Sequence, residues 1–379
     1  MKTAMSVLTR RLAKLPANVR WMPAYVGQRV LRRRHLPKPF HLVIALADHF
    51  EPYIVPQNPR ILLGQSQQLK RVRDWCRQYP RLFDSFRDSS GARFRHTYFY
   101  PAEHCDPDIL AVLADHCQQG WGEIEIHLHH GVDAPDTAEN TREALVRFRD
   151  FLAGIGCLSR LNGTGPPRYA FVHGNWALAN SADGRCCGVA SEMQILAETG
   201  CYADFTLPSA PSSCQVPKIN ALYECKGVLS KSAPHRRGRD LSSGRRPTVF
   251  PIIIQGPLMI DWGRKGRFFP ALENSALTAV NPPTLHRCQL WTRAAIAVKG
   301  RPDWLFVKLH CHAMDPCDTD ALLGNPMHTF LQELADEEKR GRFVTHFVTA
   351  REMTNIILAA CEGKSGVPSL FRNSPFESR

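Results

Sequence analysis

The 379-residue sequence lacks the features that mark several common protein classes. No apolar run approaches the roughly 18 residues that a membrane-spanning helix needs. The longest run lies around Val249–Ile254 and is rich in β-branched residues, which is typical of a strand. The 13 cysteines are an odd number without CxxC spacing, which argues against a zinc ribbon and a disulfide framework. We therefore expect a reducing compartment, the cytoplasm, where cysteine serves as a small buried hydrophobe.

Several short motifs that carry known chemistry are also missing. The chain has no GxGxxG, GxxxxGK[ST], GxSxG or HExxH sequence, which argues against the dinucleotide, P-loop, serine-hydrolase and zincin types of site. Its basic stretches are not interleaved with aromatic residues, so we expect no nucleic-acid partner. Any chemistry must therefore depend on another set of residues.

Acidic residues are absent from the first 40 positions, which carry ten lysines and arginines. Met5, Leu8, Leu12 and Leu15 add an apolar helical spacing to this segment. We expect residues 1–40 to form a basic arm outside the main domain, on the inner face of an anionic membrane. A solvated extension and an organelle transit peptide remain alternatives.

Beyond the arm, short apolar strands alternate with helical patterns. Such alternation predicts a parallel sheet with right-handed crossovers. We expect a single-domain α/β fold, a parallel (β/α) barrel of seven or eight strands over residues 41–363. A long loop insertion is expected at about 208–247, and a C-terminal tail over 364–379. The predicted strands are His41–Asp48, Phe94–Tyr100, Glu123–His129, Arg168–His173, Ala203–Leu207, Val249–Gln255, Trp304–His310 and Phe343–Val348.

Polar residues stand at the ends of these strands, where a parallel barrel places its active site. His127 and His129 are two residues apart on one strand, so their side chains share a face and can bind a divalent metal. Asp48, His49 and Glu51 follow the first strand, where a carboxylate can complete a metal shell or act as a base. Of these, Asp48 and His49 are the candidate ligands, with Asp48 also the candidate base.

A second pair with the same two-residue spacing ends a late strand. There His310 is the candidate general acid, and His312 is a candidate substrate contact. The turn after Arg168–His173 presents three more residues that suit a sugar ring, which stacks on indole and bonds to amides. These candidate substrate contacts are His173, Asn175 and Trp176.

The long insertion at 208–247 follows a strand directly, so we expect it to begin at the active-site face. Tyr223, His235 and Arg237 lie within it and can bond hydroxyls or pair with phosphate. We expect a lid that selects an anionic or lipid-linked saccharide. A disordered basic insertion is the alternative.

The strand order and these motifs resemble the polysaccharide deacetylase superfamily over roughly His41 to Cys361. Asp48–His49, the segment Glu125–His129 and Leu309–His310 stand where that family places its acidic pair, its metal-binding histidine strand and its general acid. The chain departs from the family pattern in its Asp-His pair and in the sequence HGNW after the fourth strand. It resembles a divergent branch.

The resemblance implies a metal-dependent deacetylase that removes N- or O-acyl groups from a saccharide, with a divalent metal ion, zinc, as cofactor. Asp48, His49, His127 and His129 would then hold the metal. Two alternatives remain open. One is a metal-dependent phosphoesterase on a histidine-rich barrel, and the other is a saccharide-binding barrel without catalysis.

The basic arm leads to a direct test with vesicles. Deleting residues 1–15, which carry Arg10, Arg11 and Lys14, should release the protein from vesicles that contain anionic lipid, because each cation near such a surface contributes about 1 kcal/mol. Cosedimentation measures the bound fraction, with neutral vesicles as the control. Equal binding by the full and shortened chains would contradict a membrane role.

Overall fold

The computed structural model describes residues 16–31, 37, 39–56, 58, 61–263 and 270–377. Its α-helices are α1 Met22–Leu31, α2 Gln65–Phe83, α3 Pro107–His116, α4 Ala138–Gly154, α5 Glu192–Thr199, α6 Leu285–Arg293, α7 Thr319–Leu323, α8 Asn325–Lys339 and α9 Ala350–Cys361. The strands are β1 Phe40–His49, β2 His96–Pro101, β3 Gly122–Leu128, β4 Ser159–Leu161, β5 Pro167–His173, β6 Cys201–Asp204, β7 Leu222–Cys225, β8 Gly238–Asp240, β9 Ile252–Ile254, β10 Met259–Asp261, β11 Ala271–Glu273, β12 Trp304–Cys311, β13 Phe343–Val348 and β14 Phe376–Glu377.

The main sheet is mostly parallel, as the alternation of strands and helices predicts. Its parallel strands follow the order β12-β1-β2-β3-β5-β6-β9, and β13 pairs in parallel with the first half of β1. Antiparallel strands extend it: β7 and β8 beyond β9, and β4 and β14 beside β5. The fold is therefore a mixed α/β domain whose sheet is mainly parallel.

The predicted barrel closure would require β9 to pair with β12. Within the described part of the chain, no strand pairing joins them. The free edge of β12 instead bonds an irregular segment: His310 N–H donates to the Ser275 carbonyl at 3.0 Å, and Leu277 N–H donates to the His310 carbonyl at 2.8 Å. Strand pairing thus supports the parallel sheet, while a closed barrel stays a prediction.

Both faces of the sheet are buried, which explains why its strands read as nearly continuous apolar runs. Leu42 and Ile44 of β1 pack in the core that contains α2 to α5, α7 and α8. Their neighbours Val43 and Ala45 pack in a second core with α9. All residues of α9 are buried, so this last helix covers the second face of the sheet.

Both ends of the described chain belong to the folded body, which corrects two boundaries drawn from the sequence. Trp21 and Tyr25 are buried in the second core, so residues 16–31 are not a peripheral arm. In the expected C-terminal tail, Phe376 is buried and β14 pairs with β4. Residues 1–15, with the predicted amphipathic spacing, lie outside the described residues.

The segment 208–247 is more regular than its sequence indicates. It contains the β7–β8 hairpin, which extends the sheet, and a short 3-10 turn. Ala233 N–H donates to the Ala179 carbonyl at 2.7 Å, so the segment packs against the loop after β5. Of the helices that the structure describes, none is both long and apolar enough to cross a bilayer.

The C-terminal segment is anchored by an ion pair between Arg372 and Asp88 at 2.6 Å, both buried. Replacing Arg372 with Met should cost about 3–5 kcal/mol of unfolding free energy, because it leaves an uncompensated buried carboxylate. Urea unfolding measures the cost. The matched control Lys339→Ala, in an exposed pair with Asp336, should cost less than about 1 kcal/mol.

This pair also sets a pH dependence. Burial raises the pKa of Asp88, but Arg372 and hydrogen bonds outweigh burial, so the pKa lies below its ordinary value. The stabilisation is therefore present above the ordinary pKa of about 4 and is lost as pH falls further. The stability difference between wild type and Arg372→Met should shrink below about pH 4. A constant difference down to acid pH would contradict this assignment.

Candidate metal centre

Three buried side chains meet beyond the carboxyl ends of β1 and β3. They are His49, Glu51 and His127, and each offers one donor atom, all within 4.8 Å of one another. On β1, His49 is an even number of residues from Val43 and Ala45, so its side chain points to the same face of the sheet, toward the second core. On β3, the side chain of His127 points to this same face of the sheet, opposite to Ile126. The site thus forms at the ends of the parallel strands β1 and β3, which lie on either side of β2.

The hydrogen bonds of His127 fix its tautomer. Its Nδ1–H donates to the Val172 carbonyl at 2.8 Å, so neutral Nε2 presents a lone pair. That lone pair faces Glu51 Oε1 at 3.1 Å, and His129 Nε2 lies 3.4 Å from the same oxygen. Acceptors that face one another need a proton or a cation between them. The set of imidazole nitrogen and carboxylate oxygen fits a divalent transition metal.

More polar side chains surround this group. Glu103 Oε1 accepts from His129 Nδ1 at 2.7 Å, the carboxylate contact that orients ligating histidines. The ring centroids of His312 and His310 lie 4.8 and 5.9 Å from that of His49. His310 Nδ1 is buried, and no hydrogen-bond partner is described for it. The sequence predictions for these histidines thus fall in one place.

The electrostatics of the group favour metal-binding protonation states. Burial, then the neighbouring His312 and His127, hold the pKa of His49 well below its ordinary value, so its imidazole is neutral. Burial raises the pKa of Glu51, but the closeness of His127, His312 and His129 outweighs burial and lowers that pKa to about 2. Neutral imidazole and ionised carboxylate are the forms that ligate metals.

Asp48 does not join this group, which corrects its assignment as ligand and base. Because adjacent residues on a strand point to opposite faces, Asp48 points away from His49, toward the core that contains Leu42 and Ile44. Its Oδ2 bonds His96 Nδ1 at 3.0 Å, and its Oδ1 accepts from Ala313 N–H at 2.9 Å. With Cys311 it belongs to another buried group of possible metal donors. Glu51 occupies the position that the sequence analysis gave to Asp48.

The predicted saccharide contacts divide between several places. His312 lies at the candidate centre, whereas His173 belongs to a separate buried cluster with Glu192. Tyr223 is fully buried and its hydroxyl donates to the His235 carbonyl at 2.6 Å, so it is not available to a substrate. His235 is buried as well, and burial lowers its pKa to about 3. Three of the predicted contacts remain accessible: Asn175, Trp176 and Arg237.

Glu103 was not considered as a site residue from the sequence, and Glu51 was noted beyond the first strand without being chosen as a ligand. A signal for Glu103 existed, because it follows the aromatic strand Phe94–Tyr100 and is therefore a polar residue just beyond a strand end. Glu51 has the same kind of signal, two residues beyond His49. The rule that polar residues beyond parallel strand ends form the site would have found both.

Comparisons with known proteins add little to this description. No protein-family model matches the sequence, and no curated protein matches it. One similar solved structure is an alpha-mannosidase from Enterococcus faecalis, with 10% identity and a TM-score of 0.36. The alignment covers 84% of this chain and 29% of that protein, so this chain spans less than a third of its length. A similarity this low carries no argument about activity.

The contrast between Glu51 and Asp48 can be measured directly. Glu51→Gln should weaken zinc binding at this centre by more than about 100-fold, because even indirect partners of a ligand contribute 10–100-fold. Asp48→Asn is the matched control and should keep the metal, because Asp48 faces the opposite side of β1. Metal content of the purified proteins by plasma mass spectrometry provides the measurement. Metal loss in Asp48→Asn but not in Glu51→Gln would contradict this assignment.

Proposed function

We propose that the chain is a metal-dependent hydrolase, a deacetylase that removes N- or O-acyl groups from a saccharide. The observation that carries the proposal is the convergence of His49, Glu51 and His127 beyond parallel strand ends. A divalent ion bound there would act as a Lewis acid toward the acyl carbonyl and the attacking water. The resemblance to polysaccharide deacetylases in strand order and motif placement supports the choice of reaction.

The surrounding residues supply the proton transfers that acyl hydrolysis needs. His129 is held by Glu103 through its Nδ1–H, so its Nε2 is the atom that can accept a proton from water. His310 has a buried Nδ1 for which the structure describes no partner, and it is the candidate donor to the leaving amine or alkoxide. In this proposal Glu103 orients the base and Glu51 holds the metal.

A place for the sugar follows from one close contact. A Cβ on Gly174 would lie 2.2 Å from His129 Cδ2, so the turn after β5 packs directly on the His129 ring. That turn carries Asn175, which is exposed, and Trp176, which is half-buried. An indole face and an amide beside the reacting centre suit a saccharide ring and its hydroxyls. The exposed Arg237 of the basic segment is proposed to favour an anionic or lipid-linked glycan.

The proposal is tested by acetate release from N-acetylated and O-acetylated oligosaccharides with the zinc-loaded protein. His310→Gln should lower kcat by about 10²–10⁴-fold, the range for loss of a general acid. His286→Gln is the control, because this half-exposed histidine pairs with Asp261 outside the centre.

Three outcomes would contradict the proposal. The first is an absence of acetate release from both classes of sugar. The second is phosphate release from aryl phosphates by the same preparation, which would favour the phosphoesterase alternative. The third is an equal loss of activity in His286→Gln and His310→Gln, which would remove His310 from the mechanism.

A further inference from the structure

A second cluster of metal-binding side chains lies on the other side of the sheet from the candidate centre. His130 follows β3, His173 ends β5, Glu192 begins α5, and Cys187 lies in the loop before that helix. Their donor atoms all lie within 4.8 Å of one another, and all four residues are buried. Neither sequence spacing nor the proposed activity accounts for this cluster.

The donor atoms are grouped around the Glu192 carboxylate. His130 Nε2 lies 3.1 Å from His173 Nε2 and 3.0 Å from Glu192 Oε1. His173 Nε2 is 3.4 Å from the same carboxylate oxygen, and Cys187 Sγ is 3.6 Å from Glu192 Oε2. Donors bound to one tetrahedral zinc ion at 2.0–2.3 Å lie about 3.3–3.8 Å apart. The observed separations are close to those edges.

The tautomers of His130 and His173 also suit a metal. His130 Nδ1 bonds the Asp136 carboxylate at 2.8 Å, and His173 Nδ1–H donates to the Gly174 carbonyl. With Nδ1 held by these acceptors, the Nε2 lone pair of each ring, once deprotonated, is the one that can ligate a metal. Those lone pairs and the Glu192 oxygen are all acceptors that face one another. A divalent cation at their centre would satisfy all three together, and it would replace the proton that His130 Nε2 otherwise donates to Glu192 Oε1.

We propose that His130, His173, Cys187 and Glu192 form a closed metal site of the zinc type, separate from the candidate catalytic centre. Thiolate, imidazole and carboxylate are the ligands that tetrahedral zinc takes in proteins. The surrounding contacts are those of a ligand set: Asp136 orients His130, and the backbone N–H groups of Asn180 and Val189 donate to Cys187 Sγ at 3.3 and 3.4 Å. With four buried protein ligands the site has a structural role.

The site would fasten three loops whose backbones approach closely. A Cβ on Gly131 would lie 2.2 Å from the Cys187 carbonyl oxygen, and one on Gly188 would lie 2.6 Å from Pro135 Cβ. The loop before Cys187 also holds several non-glycine residues at positive φ, a conformation that persists only when surrounding contacts enforce it. These residues are Asn175, Trp176, Ala179, Asn180, Asp183 and Cys186.

A metal bound at the second cluster would also restrain the candidate catalytic centre through the backbone. His130 is the residue after His129, and Gly174, which packs on the His129 ring, is the residue after His173. A metal on the second cluster therefore positions both the histidine that we propose as base and the turn that carries Asn175 and Trp176. The second site is a positioning device for the first.

Cobalt substitution in the full-length protein tests the proposal. Zinc is removed with a chelator, cobalt(II) is added, and the near-ultraviolet band of thiolate-to-cobalt charge transfer is recorded. The candidate catalytic centre contains no cysteine, so a thiolate band cannot arise there and is independent of the proposed activity. We expect the band in the wild type and in Glu51→Gln, because only the first centre is altered there.

Variants assign the band to one thiol. Cys187→Ser should abolish it and weaken metal binding at this cluster by at least about 100-fold, whereas Cys311→Ser should keep it. The latter is the matched control, because Cys311 is a buried thiol in the group with Asp48 and His96. Should Cys187→Ser fail to fold, Glu192→Gln offers a second variant, which should weaken cobalt binding while retaining the thiol.

Two results would overturn the proposal. One is a cobalt-loaded wild-type protein without the thiolate band, since the wild-type measurement needs no variant. The other is a band that survives Cys187→Ser and disappears in Cys311→Ser. A wild-type protein that shows the band but releases no acetate would leave the second site standing while it contradicts the proposed reaction.

Discussion

The alternation of side chains along β-strands that are buried on both faces governs the chemistry of this protein. Adjacent residues at a strand end enter different environments. One side chain points toward the core that contains α2 to α5, and the next points toward the core that contains α9. Asp48 and His49 are separated in this way, and so Asp48 bonds His96 while His49 approaches His127. The same alternation places His127 of the candidate centre and His173 of the second cluster on opposite sides of the sheet, so the two possible metal sites are separated by it.

Each cluster gathers acceptor atoms in a place that water does not reach freely. Burying such groups without partners is costly, since each loses its hydrogen bonds to water. In both clusters one imidazole nitrogen donates to a fixed partner, Val172 for His127 and Asp136 for His130, which turns the other nitrogen inward as a lone pair. A cation bound among these lone pairs removes the cost, and the same reasoning supports both sites.

Strand patterns allowed much of the sheet to be predicted from the sequence. Phe343–Val348 was predicted with its observed bounds, and His41–Asp48 lies within β1. The phase of β1 was less accessible, because both of its faces are apolar and a run such as Leu42–Ala47 shows no alternation. Without that phase, Asp48 and Glu51 are equally plausible as ligands.

Other features depend on contacts that no local pattern shows. Cys187 and Glu192 meet His130 and His173 only because the loop before α5 folds back onto two strand ends. The burial of α9 is another case. Its apolar sequence fits a helix of any parallel domain, and only packing shows that it covers the second face of the sheet. Tertiary placement, rather than propensity, decides both.

Charge balance links the two clusters to the rest of the domain. Glu51 lies at the first centre, and Glu103 pairs with His129 beside it, so two carboxylates lie at or next to this centre. At the second, Glu192 supplies one negative charge, a metal-bound Cys187 would supply another, and Asp136 lies beside it through His130. A divalent ion would offset much of the negative charge of each set, which lowers the desolvation penalty of a buried group. Both clusters thus suit a divalent ion, although their ligands differ. Their access to solvent differs too: the half-buried His129 and His312 leave the first cluster open to a substrate, whereas all four residues of the second are buried.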